Sequence, residues 1–148
     1  MKHGKPLVLL VEDNADDREL AMLAFDEAGL RNKVAACEDE PQALALLREW
    51  ESDALGRPHA PGLILLDIKL TGGDGFHLLQ TLRAMPSLRH VPVVMLSSSS
   101  ESADIARSYE LGANSYLRKP VDFESFVAVA RTLGHYWLQL NEPPPSLA

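Results

Sequence analysis

Charged and hydroxyl side chains stand directly after short apolar runs of this chain. Glu12 and Asp13 follow the first run and Asp67 the third, while Ser97 follows the fourth and Lys119 the fifth. Three carboxylates that lie close together repel one another, and at least one pKa rises unless a cation lies among them. Oxygen ligands suit Mg²⁺. We therefore expect Glu12, Asp13 and Asp67 to bind Mg²⁺ or another divalent cation.

Lys119 and Ser97 extend this chemistry to phosphoryl transfer. An ammonium group and a hydroxyl can contact phosphoryl oxygens, which is the positioning and charge stabilisation that this reaction requires. Asp67 alone would be more typical of a loop or helix-capping carboxylate than of a functional site. The order of all five side chains, each at the end of a predicted strand, favours a functional site.

The elements that position these residues alternate along the chain. Apolar runs without polar alternation predict strands covered on both faces, and the stretches between them have helical spacing. The predicted strands are 7–11, 33–37, 63–66, 91–96 and 115–117. This alternation predicts an α/β fold, a doubly wound five-stranded parallel sheet in a three-layer αβα sandwich, with function at the carboxyl ends of the strands.

Capping residues predict where the helices begin. Asn14 is the expected N-cap of the first helix, whose inward residues are predicted to be Leu20, Leu23 and Ala24. Later helices are expected to start after Pro41, near Gly75, near Ser100 and at Asp122, and the last is expected to reach Asn141 before three prolines end it.

Composition excludes several classes of protein. The chain has 148 residues, 21 acidic and 14 basic, with a net charge of -7, so it lacks the basic clusters that grip nucleic acid. Cys37 is the one cysteine, so an intrachain disulfide is impossible and a reducing compartment is expected. The apolar run at 7–11 is too short for a signal peptide or a membrane span. We therefore expect a cytoplasmic protein without membrane attachment.

Four motifs together resemble the receiver domain of two-component response regulators: LVEDN, LILLDIKLTGGDG, VVMLSSS and LGANSYLRKP. The match extends over about 7–133. It implies a flavodoxin/CheY-like sheet with strand order 2-1-3-4-5 and phosphorylation of Asp67 by a histidine kinase. It also implies Mg²⁺ bound by Glu12, Asp13 and Asp67, with the Lys69 backbone carbonyl as a further ligand.

The same resemblance implies a conformational switch. Ser97 corresponds to the hydroxyl switch residue and Tyr116 to the aromatic one. Lys119 corresponds to the lysine that contacts the phosphoryl group. The peptide that joins Lys119 to Pro120 is expected to be cis, as is usual in the family.

The C-terminal part, residues 108–145, resembles the small single-domain regulators paired with bacterial phytochromes. The cognate kinase is therefore expected to be a bacteriophytochrome. We expect a receiver domain at 1–134 and a helical extension with a proline-rich tail at 135–148, without a separate effector domain.

The extension carries an apolar stripe that is predicted to run past the sheet edge. Its residues are Leu133, Tyr136, Trp137 and Leu140, with Leu138 on another side of the helix. Such a patch usually marks an interface. We expect a homodimer built on Tyr136, Trp137, Leu138 and Leu140, and the alternative is a helix that folds back on its own chain.

Three other functions compete with a signalling switch that acts on no external metabolite. A phosphatase of the haloacid dehalogenase type would place a second Asp two residues after the nucleophile, where this chain has Lys69. A degenerate receiver acting as a constitutive binding module would not need the complete residue set. A flavin-binding protein with a similar sheet would need a phosphate-binding loop, which the chain lacks.

Overall fold

A computed structural model describes residues 7–50, 60–70 and 73–144. Its strands are β1 (Val8–Val11), β2 (Val34–Cys37), β3 (Leu63–Leu66), β4 (Lys69–Leu70), β5 (Gly73–Asp74), β6 (Val93–Ser97) and β7 (Ser115–Arg118). Five of them form one parallel sheet in the order β2-β1-β3-β6-β7, and β4 pairs with β5 in a separate antiparallel hairpin. The predicted sheet and its strand order are confirmed.

Helices cover both faces of the sheet. They are α1 (Ala15–Glu27), α2 (Glu40–Glu49), α3 (Gly75–Ala84), α4 (Ser102–Glu110) and α5 (Phe123–His135). Alternate residues of β1 enter two different cores, since Leu9 packs with buried residues of α2 and α3, while Leu10 packs with those of α1 and α5. Burial on both faces explains why the central strands are continuous apolar runs.

The predicted caps are present. The Asn14 side chain accepts a hydrogen bond from the Asp17 backbone N–H, and Asp122 accepts one from Ser125. One predicted core residue is wrong, because Leu23 is 50% exposed whereas Phe25 of the same helix is fully buried.

The C-terminal extension departs from the prediction. After α5, residues Tyr136–Leu140 form a π-helical turn, closed by a bond from the Asn141 N–H to the Tyr136 carbonyl. The wider turn brings Trp137 and Leu138 against the core beneath α1 and α5. A methyl group of Leu138 lies so close to Gly62 that a Cβ added to this glycine would be only 3.1 Å from it. The expectation that the stripe runs past the sheet edge is therefore wrong for Trp137, and Leu138, expected on another side of the helix, packs against the same core.

The other two residues of the predicted interface remain on the surface. Tyr136 is 48% exposed and Leu140 is 60% exposed. Tail residues 145–148 lie outside the described part of the chain. Across the described residues, no helix combines the length and the apolar character that crossing a bilayer requires.

Candidate functional site

The acidic side chains meet because their strands are paired in parallel. Val11 at the end of β1 is in register with Leu66 at the end of β3. Glu12 and Asp67 follow these two residues directly, so they leave neighbouring strands at the same edge of the sheet. β6 and β7 end beside them, where the Lys119 N–H donates to the Ser97 carbonyl at 2.8 Å.

The Lys119 ammonium group lies at the centre of this edge. Its Nζ is 2.6 Å from Glu12 Oε1 and 2.9 Å from Asp67 Oδ2. It is also 3.1 Å from Oδ2 of Asp17, in the first turn of α1. Sequence reasoning missed Asp17; the signal available was its place in the first turn of a helix that starts at this edge.

Three carboxylates lie close together at this edge of the sheet. One oxygen from each of Glu12, Asp13 and Asp67 lies within 4.8 Å of the others. Carboxylate oxygens are ligands that suit Mg²⁺, so these three residues could hold such an ion. Their charge and oxygen chemistry fit a divalent cation, and the Lys119 ammonium, which is bound to Glu12 and Asp67, would compete with such an ion for these two carboxylates.

Burial and the ion pairs of Lys119 together determine the protonation of this site. Burial raises the pKa of Glu12 to about 7, and the nearby Asp67 charge adds to this rise while the bond to Lys119 opposes it. Burial alone would lower the pKa of Lys119, but its bonds to Glu12 and Asp67 outweigh burial and raise it. Lys119 is therefore charged at neutral pH, and a further cation beside Glu12 would lower that carboxyl's pKa.

Arg18 holds the backbone of the acidic loop. Its Nη1 donates to the Glu12 carbonyl at 2.8 Å, and its Nη2 is 3.7 Å from the Glu38 carboxylate after β2. The Asn14 N–H donates to Glu12 Oε2 at 3.1 Å. These contacts tie the loop to α1 and to the end of β2, so that the carboxylates keep a common orientation.

The loop after Asp67 turns back on itself. The Lys69 N–H donates to Asp67 Oδ1 at 3.3 Å, and the Gly75 N–H donates to the Ile68 carbonyl at 2.6 Å. The Lys69 side chain is exposed. Its carbonyl as a cation ligand remains a prediction.

We expect Gly75→Ala to destabilise the fold by about 1–3 kcal/mol, because the new methyl group is overpacked against backbone that cannot rotate away. A Cβ at Gly75 would collide with the Asp67 carbonyl and lie 3.0 Å from the Ile68 Cα. Urea unfolding monitored by circular dichroism measures the change.

Gly73→Ala is the matched control, because, among the described residues beyond its chain neighbours, none has an atom within 4 Å of where a Cβ at Gly73 would lie. Its unfolding free energy should stay within about 0.5 kcal/mol of the wild type. If both variants lost the same free energy of unfolding, the close approach of α3 to the Asp67 backbone would be contradicted.

The predicted switch residues lie on neighbouring strands. Ser97 is 2% exposed, and its hydroxyl accepts the Ser99 N–H at 3.1 Å. The half-buried Tyr116 donates its hydroxyl proton to the Ser99 carbonyl at 2.8 Å. The Lys119–Pro120 peptide is trans, so the expected cis bond is wrong. Trans is the favoured isomer, and it still delivers the ammonium to the carboxylates.

Comparison with known proteins identifies the family. The sequence-family model named 'Response regulator receiver domain' matches residues 8–131 of this chain. Response regulator Rcp1 of Synechocystis sp. (strain ATCC 27184 / PCC 6803 / Kazusa) is 30% identical over 133 residues, which cover 90% of this chain and 89% of Rcp1. A Mn²⁺-bound form of Rcp1 superimposes with a TM-score of 0.75 at 28% identity and covers 95% of this chain and 100% of Rcp1.

Two further solved structures are similar over nearly the whole chain. The phosphorylated cyanobacterial phytochrome response regulator RcpA gives a TM-score of 0.80 at 30% identity, covering 96% of this chain and 100% of RcpA. The bacteriophytochrome response regulator RtBRR gives a TM-score of 0.69 at 47% identity, covering 95% of this chain and 84% of RtBRR. The chain belongs to the response regulator receiver domain family.

Proposed function

We propose that Asp67 is the phosphoryl acceptor of this receiver domain. Phosphorylation on aspartate is general in the family. The observation that carries the assignment is the placement of the Lys119 ammonium 2.9 Å from Asp67 and 2.6 Å from Glu12, in the same cluster as Asp13. A carboxylate oxygen of Asp67 bonds to phosphorus while the bond from phosphorus to the donor breaks.

Each neighbour has a separate task in this proposal. The Lys119 ammonium binds a phosphoryl oxygen and reduces the negative charge that develops there. Glu12, Asp13, Asp67 and the Lys69 carbonyl would hold Mg²⁺, with Glu12 acting mainly through water. Bound Mg²⁺ would neutralise the clustered carboxylates and draw in the phosphoryl oxygens.

Ser97 and Tyr116 are the switch residues of the proposal. A phosphoryl group on Asp67 attracts the Ser97 hydroxyl by a charge-assisted hydrogen bond. Movement of Ser97 changes the space beside Tyr116, and the surface of α4 and β7 reports the change.

The function is tested by incubating the protein with Mg²⁺ and acetyl phosphate and measuring the intact mass. A gain of one phosphoryl group that disappears at alkaline pH supports an acyl phosphate. No gain would contradict the proposal. Continuous release of phosphate from a phosphomonoester would instead indicate the rival phosphatase.

The proposed phosphoryl donor is a histidine kinase, the class from which receiver domains take their signals. We propose a bacteriophytochrome as this kinase. Two regulators with folds similar to this chain over at least 95% of its length, RcpA and RtBRR, are named for phytochromes. Faster phosphorylation by a phytochrome kinase than by an unrelated kinase would support the pairing.

The boundary of the receiver domain and its assembly are also proposals. We propose that the domain ends near residue 134 and that the segment Tyr136–Leu140 forms a two-fold dimer contact. Tyr136 and Leu140 supply the exposed surface, while Trp137 and Leu138 anchor the segment to its own core. Two-fold symmetry is the commonest arrangement of homodimers.

We expect Leu140→Glu to raise the dimer dissociation constant at least about tenfold, because a charge would replace a leucine buried in the contact. Sedimentation velocity over a range of concentrations measures this constant. Leu23→Glu is the control, because Leu23 is also an exposed leucine, at 50%, but belongs to α1 and not to Tyr136–Leu140. A wild-type protein that is monomeric at high micromolar concentration, with and without phosphorylation, would contradict the dimer.

A further inference from the structure

All the hydrogen-bonding groups of Ser99, in the loop between β6 and α4, are engaged. Its N–H donates to the Ser97 hydroxyl oxygen at 3.1 Å, and its carbonyl accepts from Tyr116 at 2.8 Å. Its hydroxyl donates to Asp104 Oδ2 at 2.7 Å and accepts from the Glu101 N–H at 3.2 Å. Ser99 thus joins the end of β6 through its backbone N–H to the first turn of α4 through its hydroxyl.

We propose that Ser99 and Asp104 form a positioning pair for the Ser97 hydroxyl and couple that hydroxyl to α4. The coupling rests on the proposed function, in which Ser97 contacts the phosphoryl group. Neither Ser99 nor Asp104 touches Asp67 in this proposal. They act through Ser97.

The start of α4 depends on this pair. Its N-cap residue, Glu101, makes no side-chain capping hydrogen bond. The Ser99 hydroxyl instead accepts the Glu101 N–H, and the Asp104 carboxylate orients that hydroxyl. A hydroxyl bound to a carboxylate makes a short, charge-assisted hydrogen bond, which is stronger than a neutral one. The orientation of the Ser99 side chain is therefore fixed by residues at the start of α4.

Ser97 is the other end of the connection. Its side chain is 2% exposed, so its hydroxyl depends on protein partners. A hydroxyl has one proton to donate and two lone pairs to accept. Ser97 can therefore donate to a phosphoryl oxygen while it still accepts the Ser99 N–H. Movement of Ser97 toward Asp67 then pulls Ser99, and Ser99 pulls the first turn of α4 through Asp104.

A purely local role is the competing explanation. Ser99 and Asp104 would then cap α4 without any effect on Ser97. The two explanations differ in the energetic coupling between Ser97 and Asp104, which are joined through Ser99. Coupling between two residues is measured by a double-mutant cycle.

The first test measures urea unfolding of Ser97→Ala, Asp104→Asn and the double variant, with Ser99 present and in a Ser99→Ala background. With Ser99 present, we expect the combined effect on the unfolding equilibrium constant to differ from the product of the single effects by at least about twofold. In the Ser99→Ala background the effects should multiply. Multiplicative effects in both backgrounds would overturn the proposal.

The second test follows amide hydrogen exchange in α4 before and after phosphorylation. Ser99→Ala should take up the phosphoryl group but lose at least half of the wild-type change in α4 exchange, and Ser99→Thr should restore it. Ser102→Ala, an exposed serine at the start of the same helix, should match the wild type. A full wild-type change in Ser99→Ala would also overturn the proposal.

The two tests separate this inference from the proposed function. The unfolding cycle needs no phosphorylation, so its result stands whether or not Asp67 accepts a phosphoryl group. Absence of a mass gain in the wild type would contradict the role of Asp67. Absence of coupling in the cycle would contradict the role of Ser99 and Asp104.

Discussion

Asp67→Asn is expected to abolish the mass gain that the wild-type protein shows with Mg²⁺ and acetyl phosphate. The amide nearly matches the carboxylate in shape but offers no anionic oxygen to attack phosphorus. Asp67 is only 6% exposed, so a substitution of equal size is needed to keep the packing. Lys119 retains Glu12 and Asp17 as ion-pair partners in this variant, so the fold should persist.

Asp26→Asn is the matched control for this experiment. Asp26 lies near the C-terminal end of α1, where it is 3.7 Å from Arg31, away from the strand ends that carry the acidic cluster. The control should gain the same mass as the wild type. Labelling of Asp67→Asn at a site sensitive to acyl phosphate cleavage would reject Asp67 as the acceptor.

Lys119→Met is expected to change two measurements in opposite directions. Phosphorylation should slow about a hundredfold or more, because a charged donor to the phosphoryl oxygens is lost. Affinity for Mg²⁺ should rise about tenfold, because an ammonium within 2.9 Å of Glu12 and Asp67 no longer repels the ion. Methionine keeps much of the length of the lysine stem, so the change is mainly one of charge.

Calorimetric titration with Mg²⁺ and the initial rate of phosphorylation measure these two effects. Lys33→Met serves as the control, since Lys33 is exposed in the short turn before β2, at the opposite end of that strand from the acidic cluster. Both quantities should match the wild type in the control. If Lys119→Met binds Mg²⁺ more weakly than the wild type, the ammonium does not compete for the carboxylates.

Local patterns were sufficient for the strands of the sheet and for the polar residues that follow them, whereas the strand order came from the resemblance to receiver domains. Central strands such as Leu63–Leu66 are buried on both faces, so their apolar runs are continuous and easily recognised. Parallel strands end at one edge, so the residues that follow them meet there irrespective of loop conformation. Caps such as Asn14 and Asp122 are equally local, because each bonds to a backbone N–H three residues later.

Helical spacing alone could not predict which face of α1 is buried. Leu20, Leu23 and Ala24 fit helical spacing, but so do Ala21, Ala24 and Phe25, which are the residues buried in the structure. The two sets differ by one residue, or about 100° around the helix. Docking against α5 and the sheet selects the second set, which places the large Phe25 ring in the core.

Contacts between distant parts of the chain were beyond the reach of sequence patterns. The π-helical turn at Tyr136–Leu140 turns Leu138 toward Gly62, and an ideal α-helical projection cannot anticipate that rotation. Asp17 reaches Lys119 across 102 positions of sequence, and Ser99 meets Asp104 because of the path that the loop takes into α4. The edge at which a parallel strand ends follows from the direction of the chain alone. The contacts of Asp17, Ser99 and Leu138 depend instead on how helices and loops pack against the sheet.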